Sequence, residues 1–263
     1  MNTITFEDFV KEDNLYKNEE IALCIGVFDG IHIGHQQILN KVIDSKLFPV
    51  VITFDTNPKM KSGRRKIEKP LLTEKLKSYY FEKMGVQLNV IIDFSKKISR
   101  LSADEFLQIL CKNLKIRKII VGEDFQLGNP KAALNANELQ EHLIPYSEKT
   151  KVVITKAIVD KDNEVISSSR IRQLIKNGKM DVVQGLLGRE YRLDLGLTPS
   201  QYFGDSLLFK AEDVKQLLPS NGSFTGLWVE ENIIASIKIE AEVITISPYP
   251  NSSAKNLTLA FIS

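Results

Sequence analysis

Five short apolar runs separated by amphipathic stretches constrain this chain more than any other feature. "IALCIGV" (21–27), "FPVVITF" (48–54), "LNVIIDF" (88–94), "RKIIVGEDF" (117–125) and "KVVITKAIV" (151–159) are brief and mostly rich in β-branched residues, so they read as buried strands. Helical periodicity fills the gaps. After Gly34, residues Ile38, Leu39, Val42 and Ile43 fall on one face. "LTEKLKSYYFEKMG" has Thr73 as a possible cap and Gly85 as a stop. "SADEFLQILCKNL" carries Ser102 with Glu105 three positions on, a capping box. "SSSRIRQLIKNG" opens on serines and closes on Gly178. Strands alternating with helices predict an α/β fold, with a parallel sheet covered on both faces. Ligands of such sheets bind at the carboxyl ends of strands, near the switch in strand order. "GVFDGIHIGH", "VGEDFQLG" (121–128) and the helix entry at Ser168 are therefore expected on one rim.

Past Tyr191 the texture changes. "RLDLGLTPSQYFGDSLLF", "SNGSFTGLWV", "ENIIASIKI" and "AEVITISPY" are short, partly alternating segments with turn signals between them. They predict a small antiparallel β domain, marginal by itself at about 70 residues. The expected division is 1–191 and 192–263, with Trp228 and Phe224 in the smaller core.

Composition excludes several classes. The chain is 43% hydrophobic and 26% charged, as in soluble globular proteins. No apolar run approaches the ~20 residues that cross a bilayer. The first 20 residues are acidic and lack the apolar core of a signal peptide. Cys24 and Cys111 are isolated in apolar surroundings, which suggests reduced thiols in a cytoplasmic protein and no structural zinc. The net charge of +2 is uneven: from Arg192 onward acids outnumber bases, so the first 191 residues are the basic part. That excess suits a small anion and is too slight for a nucleic-acid track.

The chain has three histidines, and His32 and His35 sit three positions apart around Gly34 where a strand gives way to a helix. Glycines let a backbone approach a ligand closely, and a helix start offers free N–H groups and a positive dipole end. Imidazole nitrogens there can bond phosphate oxygens as charge builds up in phosphoryl transfer. In "ISSSRIRQLIKNG", Ser168 or Ser169 is the expected cap. Arg170 and Arg172 fall in the first turn, where a cation opposes the helix dipole, so a bound anion is expected beside them.

These stretches, with "TFDTNP" (53–58), "VGEDFQLG" and "LLGREYRL" (186–193) in the same order, resemble the bacterial FAD synthetases, the riboflavin kinase/FMN adenylyltransferase family. The resemblance covers roughly residues 15–193. It implies a Rossmann-like HxGH nucleotidyltransferase domain in which His32, His35 and Arg172 are catalytic. It further implies that Gly26, Phe28, Asp29, Gly30, Gly34, Asp124, Ser168 and Ser169 bind ATP, with Asp124 near the metal. Phe54, Pro58 and Phe125 are implied on the flavin side. Thr56, Gln126 and Leu127 depart from the family's pattern, which is expected to loosen flavin binding. The family's "GFPTAN"-like kinase motif has no counterpart after Arg192; "LGLTPSQYFG" stands in about that place.

The implied reaction joins FMN and ATP into FAD and pyrophosphate with Mg²⁺ and without riboflavin kinase activity. The expected partners are these small molecules, with no nucleic acid or membrane; the oligomeric state is not legible. Two alternatives stand beside it. One is an HxGH nucleotidyltransferase acting on glycerol phosphate, nicotinate mononucleotide or phosphopantetheine. The other is a flavin- or nucleotide-binding regulator with weak or no catalysis.

Overall fold

The computed structural model describes residues 1–55, 68–93, 98–128, 133–250 and 257–262. The chain forms two compact units. The first comprises residues 1–28, 34–67 and 78–158, the second 29–33, 68–77 and 159–263.

The first unit is built on six parallel strands: β1 (Asn2–Thr5), β2 (Glu20–Ile25), β3 (Phe48–Phe54), β4 (Leu88–Ile92), β5 (Lys115–Gly122) and β8 (Lys151–Thr155). Their spatial order is β1-β4-β3-β2-β5-β8, while β6 (Gln126–Leu127) and β7 (Leu134–Asn135) form a separate antiparallel pair. β2 lies centrally, with Ala22, Leu23 and Cys24 wholly buried, which explains its unbroken apolar run. From β2 the chain builds outward through β3 to β4, then returns to lay β5 on the other side of β2. The β2/β5 boundary is thus the point where strand order reverses. The helices are α1 (Phe6–Val10), α2 (Ile33–Ile43), α3 (Glu74–Met84), α4 (Ala103–Lys112) and α5 (Leu139–Leu143). One core joins Phe6, Phe9, Leu23, Val50, Val90, Leu107 and Leu110. The predicted capping box of Ser102 and Glu105 is present.

Several expectations need correction. β1 and α1 occupy a segment to which the sequence pattern assigns no element, and β1 pairs in parallel with β4 from Asn2↔Leu88 to Thr5↔Ile91. β5 and β8 stop at Gly122 and Thr155, so "EDF" and "KAIV" lie beyond the strands.

The second unit holds an antiparallel sheet of seven strands, ordered β10-β11-β14-β13-β12-β15-β9. These are β9 (Arg192–Asp194), β10 (Ser200–Phe203), β11 (Ser206–Lys210), β12 (Gly222–Trp228), β13 (Ile233–Glu240), β14 (Val243–Ser247) and β15 (Thr258–Ile262). In β13 burial alternates, Ala235, Ile237 and Ile239 facing inward, as a half-buried strand requires. Trp228 is buried and its indole N–H donates to Pro248 O at 2.8 Å, whereas Phe224 is only partly buried, edge-on to Phe261. Two helices complete the unit, α6 (Ser168–Lys176) and α7 (Met180–Leu187). The cap of α6 is Ser167, one residue before the expected serines; its hydroxyl accepts from Arg170 N.

Candidate active site

Between the end of β2 and the start of α2 the chain makes a turn over residues 26–32. Three of its residues have positive φ: Phe28 at 50°, Gly30 at 87° and Ile31 at 41°. Gly30 tolerates this; a β-branched isoleucine does not without strain, and such strain gathers at functional sites.

In the first unit the turn begins at Gly26, whose N–H donates to Ile52 O at 3.0 Å. A Cβ there would stand 3.2 Å from the Phe28 ring, so glycine lets that ring fold back. Phe28 packs edge-on against His35 at 5.3 Å and against Phe81 at 5.8 Å. His35 and Gly34 lie in the first turn of α2, which contains no acid to compete for its N–H groups. The pairing Cys24↔Ile120 sets Gly26 and Gly122 at neighbouring carboxyl ends. After Gly122 the exposed Asp124 folds back: its Oδ1 lies 2.9 Å from where a Cβ on Gly122 would stand. Phe54 and Phe125 are partly buried against this unit's core. Pro58 lies outside the described residues.

In the second unit the rest of the turn is held through its carbonyls and its carboxylate. Arg189 Nη2 donates to Gly30 O at 2.6 Å, and Nη1 donates to Ile31 O at 3.0 Å and Leu187 O at 3.1 Å. Ser168 Oγ donates to Asp29 O at 2.8 Å. The Asp29 carboxylate accepts from Leu71 N at 2.8 Å through Oδ1 and from Arg172 Nη2 through Oδ2. Both side chains of that ion pair are buried, 8% and 5% exposed. Arg172 also donates to Ser168 O at 3.3 Å, and its Nε faces Glu68 at 3.5 Å. Glu68 pairs with Lys176 as well. Arg170 pairs with Asp160 and with Glu164. Both guanidiniums of the α6 first turn are thus answered by carboxylates of the chain itself. Ser169 is exposed.

His32 is buried, and burial first, then the Arg189 charge, draw its pKa down to about 4. It is therefore a neutral imidazole at pH 7, able to donate one hydrogen bond but carrying no charge. Burial pushes the Cys24 thiol up and the Cys111 thiol up to about 11, leaving both as packing groups. Among the described residues no cluster of three or more His, Cys, Asp or Glu could hold a metal ion, and no helix is long and apolar enough to cross a membrane.

Of the predicted residues, Asp29, Gly30, His32, Ser168 and Arg172 come together in the second unit, and Gly26, Phe28, Gly34, His35, Phe54, Asp124 and Phe125 belong to the first. Reading site residues from motifs missed Arg189, Leu71 and Glu68. The one available signal was Arg189, which follows Gly188, the left-handed cap of α7 at φ 67°, inside the "LLGREYRL" segment.

The FAD synthetase family profile matches residues 15–170. The chain belongs to that family. It is 32% identical over 186 residues to the bifunctional riboflavin kinase/FMN adenylyltransferase of Buchnera aphidicola from Schizaphis graminum, covering 68% of this chain and 59% of that protein. The match thus spans less than two thirds of that relative's length. To a FAD synthetase of Listeria monocytogenes it is 29% identical over 175 residues, 65% of this chain and 69% of that one. Among solved structures, a Streptococcus pneumoniae protein described as a macrolide-efflux protein superposes with a TM-score of 0.80 at 20% identity, over 99% of this chain and 89% of its own. That likeness is one of fold, and it covers the residues of both sheets.

Proposed function

We propose that this chain is an FMN adenylyltransferase that makes FAD and pyrophosphate from FMN and ATP. The observation that carries the reading is the strained turn 28–31, opening onto the acid-free N-terminus of α2 in a member of the FAD synthetase family. An FMN phosphate oxygen attacks the α-phosphorus of ATP; the new P–O bond forms as the bond to the β-phosphate oxygen breaks, and pyrophosphate leaves. A phosphomonoester has its second pKa near ~6, so the nucleophile is already ionised and no strong base is needed. Catalysis then rests on positioning and on charge stabilisation.

In this reading neutral His32, His35 and the first N–H groups of α2 meet the phosphates, with Ser168 and Ser169 at the entry of α6. Arg172, satisfied by Asp29 and Glu68, orients the turn from behind. Phe54, Phe125 and Pro58 form the flavin side. Mg²⁺ arrives as the Mg·ATP substrate. Such ions take one or two carboxylates and otherwise phosphates and water, a demand that exposed Asp124 fits. Residues 1–191 perform the transfer, and residues 192–263 are a kinase-like β module without riboflavin kinase activity, because no glycine-rich turn with a Thr-x-Asn pair occurs there. Both substrates are small cytoplasmic molecules.

Purified chain with Mg·ATP and either FMN or riboflavin, with products separated by chromatography, tests this. FAD from FMN and no FMN from riboflavin are expected. Absence of FAD across a range of magnesium and flavin concentrations overturns the enzyme reading, and conversion of riboflavin to FMN above a host-enzyme control overturns the kinase-free one.

A further inference from the structure

Within the second unit, residues 68–75 run as a strap with polar anchors along its length. The Lys69 ammonium donates to three main-chain carbonyls of one turn: Ala211 O and Glu212 O at 2.9 Å and Val214 O at 2.6 Å. An ammonium has three protons, so this cradle satisfies all of them and fixes a group that normally stays hydrated and mobile. Pro70 O accepts from Leu217 N at 2.9 Å. Leu71 O accepts from Gln216 Nε2 at 2.9 Å, and the same amide donates to Arg192 O at 2.8 Å while its Oε1 accepts from Asp194 N at 2.7 Å. Gln216 is fully buried, and its amide is used at both ends. Further along, Thr73 and Lys75 both reach the Asp194 carboxylate.

The middle of the strap is where this matters. Leu71 offers its carbonyl to Gln216 and its N–H to Asp29, the residue that binds Arg172 and opens the strained turn. A buried carboxylate accepts in one orientation only while both donors stay put. From this chain of contacts we propose that Lys69 and Gln216 are positioning residues for the transfer reaction. Through the strap, the turn 211–214 and the edge strand β9 set the orientation of Asp29, and so the turn that carries His32. The β module is then a device for aligning the nucleotide turn. This rests on the adenylyl-transfer reading above.

The test compares wild-type chain with Lys69→Met, Lys69→Ala, Gln216→Leu and a control, Lys238→Ala, whose side chain is 59% exposed on β13. A small misplacement far from the chemistry can cost about a hundredfold, so kcat/KM for ATP is expected to fall about ten- to a hundredfold in the first three. KM for FMN and the folded fraction by near-UV circular dichroism should stay near wild type, and the control should be unchanged. Propylammonium should restore much of the Lys69→Ala loss by refilling the carbonyl cradle, whereas tetramethylammonium, which has no N–H to donate, should not. Should Gln216→Leu fail to fold, the Lys69→Ala rescue decides. Wild-type turnover with variant rates within twofold of it, or a loss that propylammonium leaves untouched, overturns the inference while the adenylyl-transfer reading stands. Wild-type protein that forms no FAD overturns that reading and this inference with it.

Discussion

The Asp29–Arg172 pair separates two roles for Arg172, a partner that shapes the turn or a group that grips ATP. Asp29→Ala leaves a guanidinium 5% exposed with Glu68 3.5 Å from its Nε, and removes the acceptor of Leu71 N–H. Breaking a buried ion pair from one side costs about 3–5 kcal/mol, because the remaining charge is stranded. Arg172→Leu strands a carboxylate that still accepts from Leu71, so its cost belongs at about 3 kcal/mol, the lower end of that range. Together the two changes remove both charges and leave an apolar side chain in their place. The double variant should therefore be less destabilised than the two losses added, by about 2–3 kcal/mol. Urea unfolding of the four proteins measures that coupling. Additive losses would refute a mutually dependent pair.

The same four proteins answer the kinetic question. If Arg172 works only through Asp29, the double variant turns over FMN and ATP no more slowly than Asp29→Ala, and KM for ATP moves alike in all three variants. A KM for ATP raised by Arg172→Leu well beyond Asp29→Ala would show the guanidinium on the triphosphate and sink the partner role.

Gly30→Ala places a Cβ 2.9 Å from Leu71 Cδ1 at φ 87°, and should cost about 1–2 kcal/mol in urea unfolding together with most of the FAD formation; a variant with wild-type stability and rate would mean the turn is not held as described. His32 predicts an acid-side loss of stability. Its pKa is about 4 folded against an ordinary 6.5, so between those values the unfolded chain binds the proton first and acid favours unfolding. As pH falls from about 6.5 to 4 the contribution lost approaches ~3 kcal/mol, and His32→Gln should flatten that part of the stability–pH curve, whereas an unaltered slope would place the titration elsewhere.

How much of this was legible depended on the range of the interactions. The alternation of β-branched runs with helical stretches is a local signal, and it led correctly to a parallel sheet followed by an antiparallel one. The capping box at Ser102 spans three residues and was equally readable. β1 was not, because "NTIT" buries no residue outright and gains its place by pairing with β4 across more than 80 positions of sequence. α6 was read correctly in extent, but its cap fell one serine early, since three consecutive serines present the same hydroxyl and only backbone geometry chooses among them.

For the site, the glycines and histidines of the turn were visible because the residue types themselves imply close backbone approach and phosphate chemistry. The partners of its arginines were not. Arg172 meets Asp29 from 143 positions away, and Arg189 reaches Gly30 from 159. A cation at a helix N-terminus calls for negative charge, and in the first turn of α6 the chain supplies Asp29 and Glu68 to Arg172 and Asp160 and Glu164 to Arg170. The strain explains why it must. Positive φ at Phe28 and Ile31 costs of order 1–3 kcal/mol each and persists only where the surroundings over-determine it. Arg189 on two carbonyls of the turn, Ser168 on a third and Arg172 and Leu71 on the Asp29 carboxylate are that over-determination. Local motifs present an arginine in the same way in either role, so sequence alone does not tell a residue that touches the nucleotide from one that holds the turn.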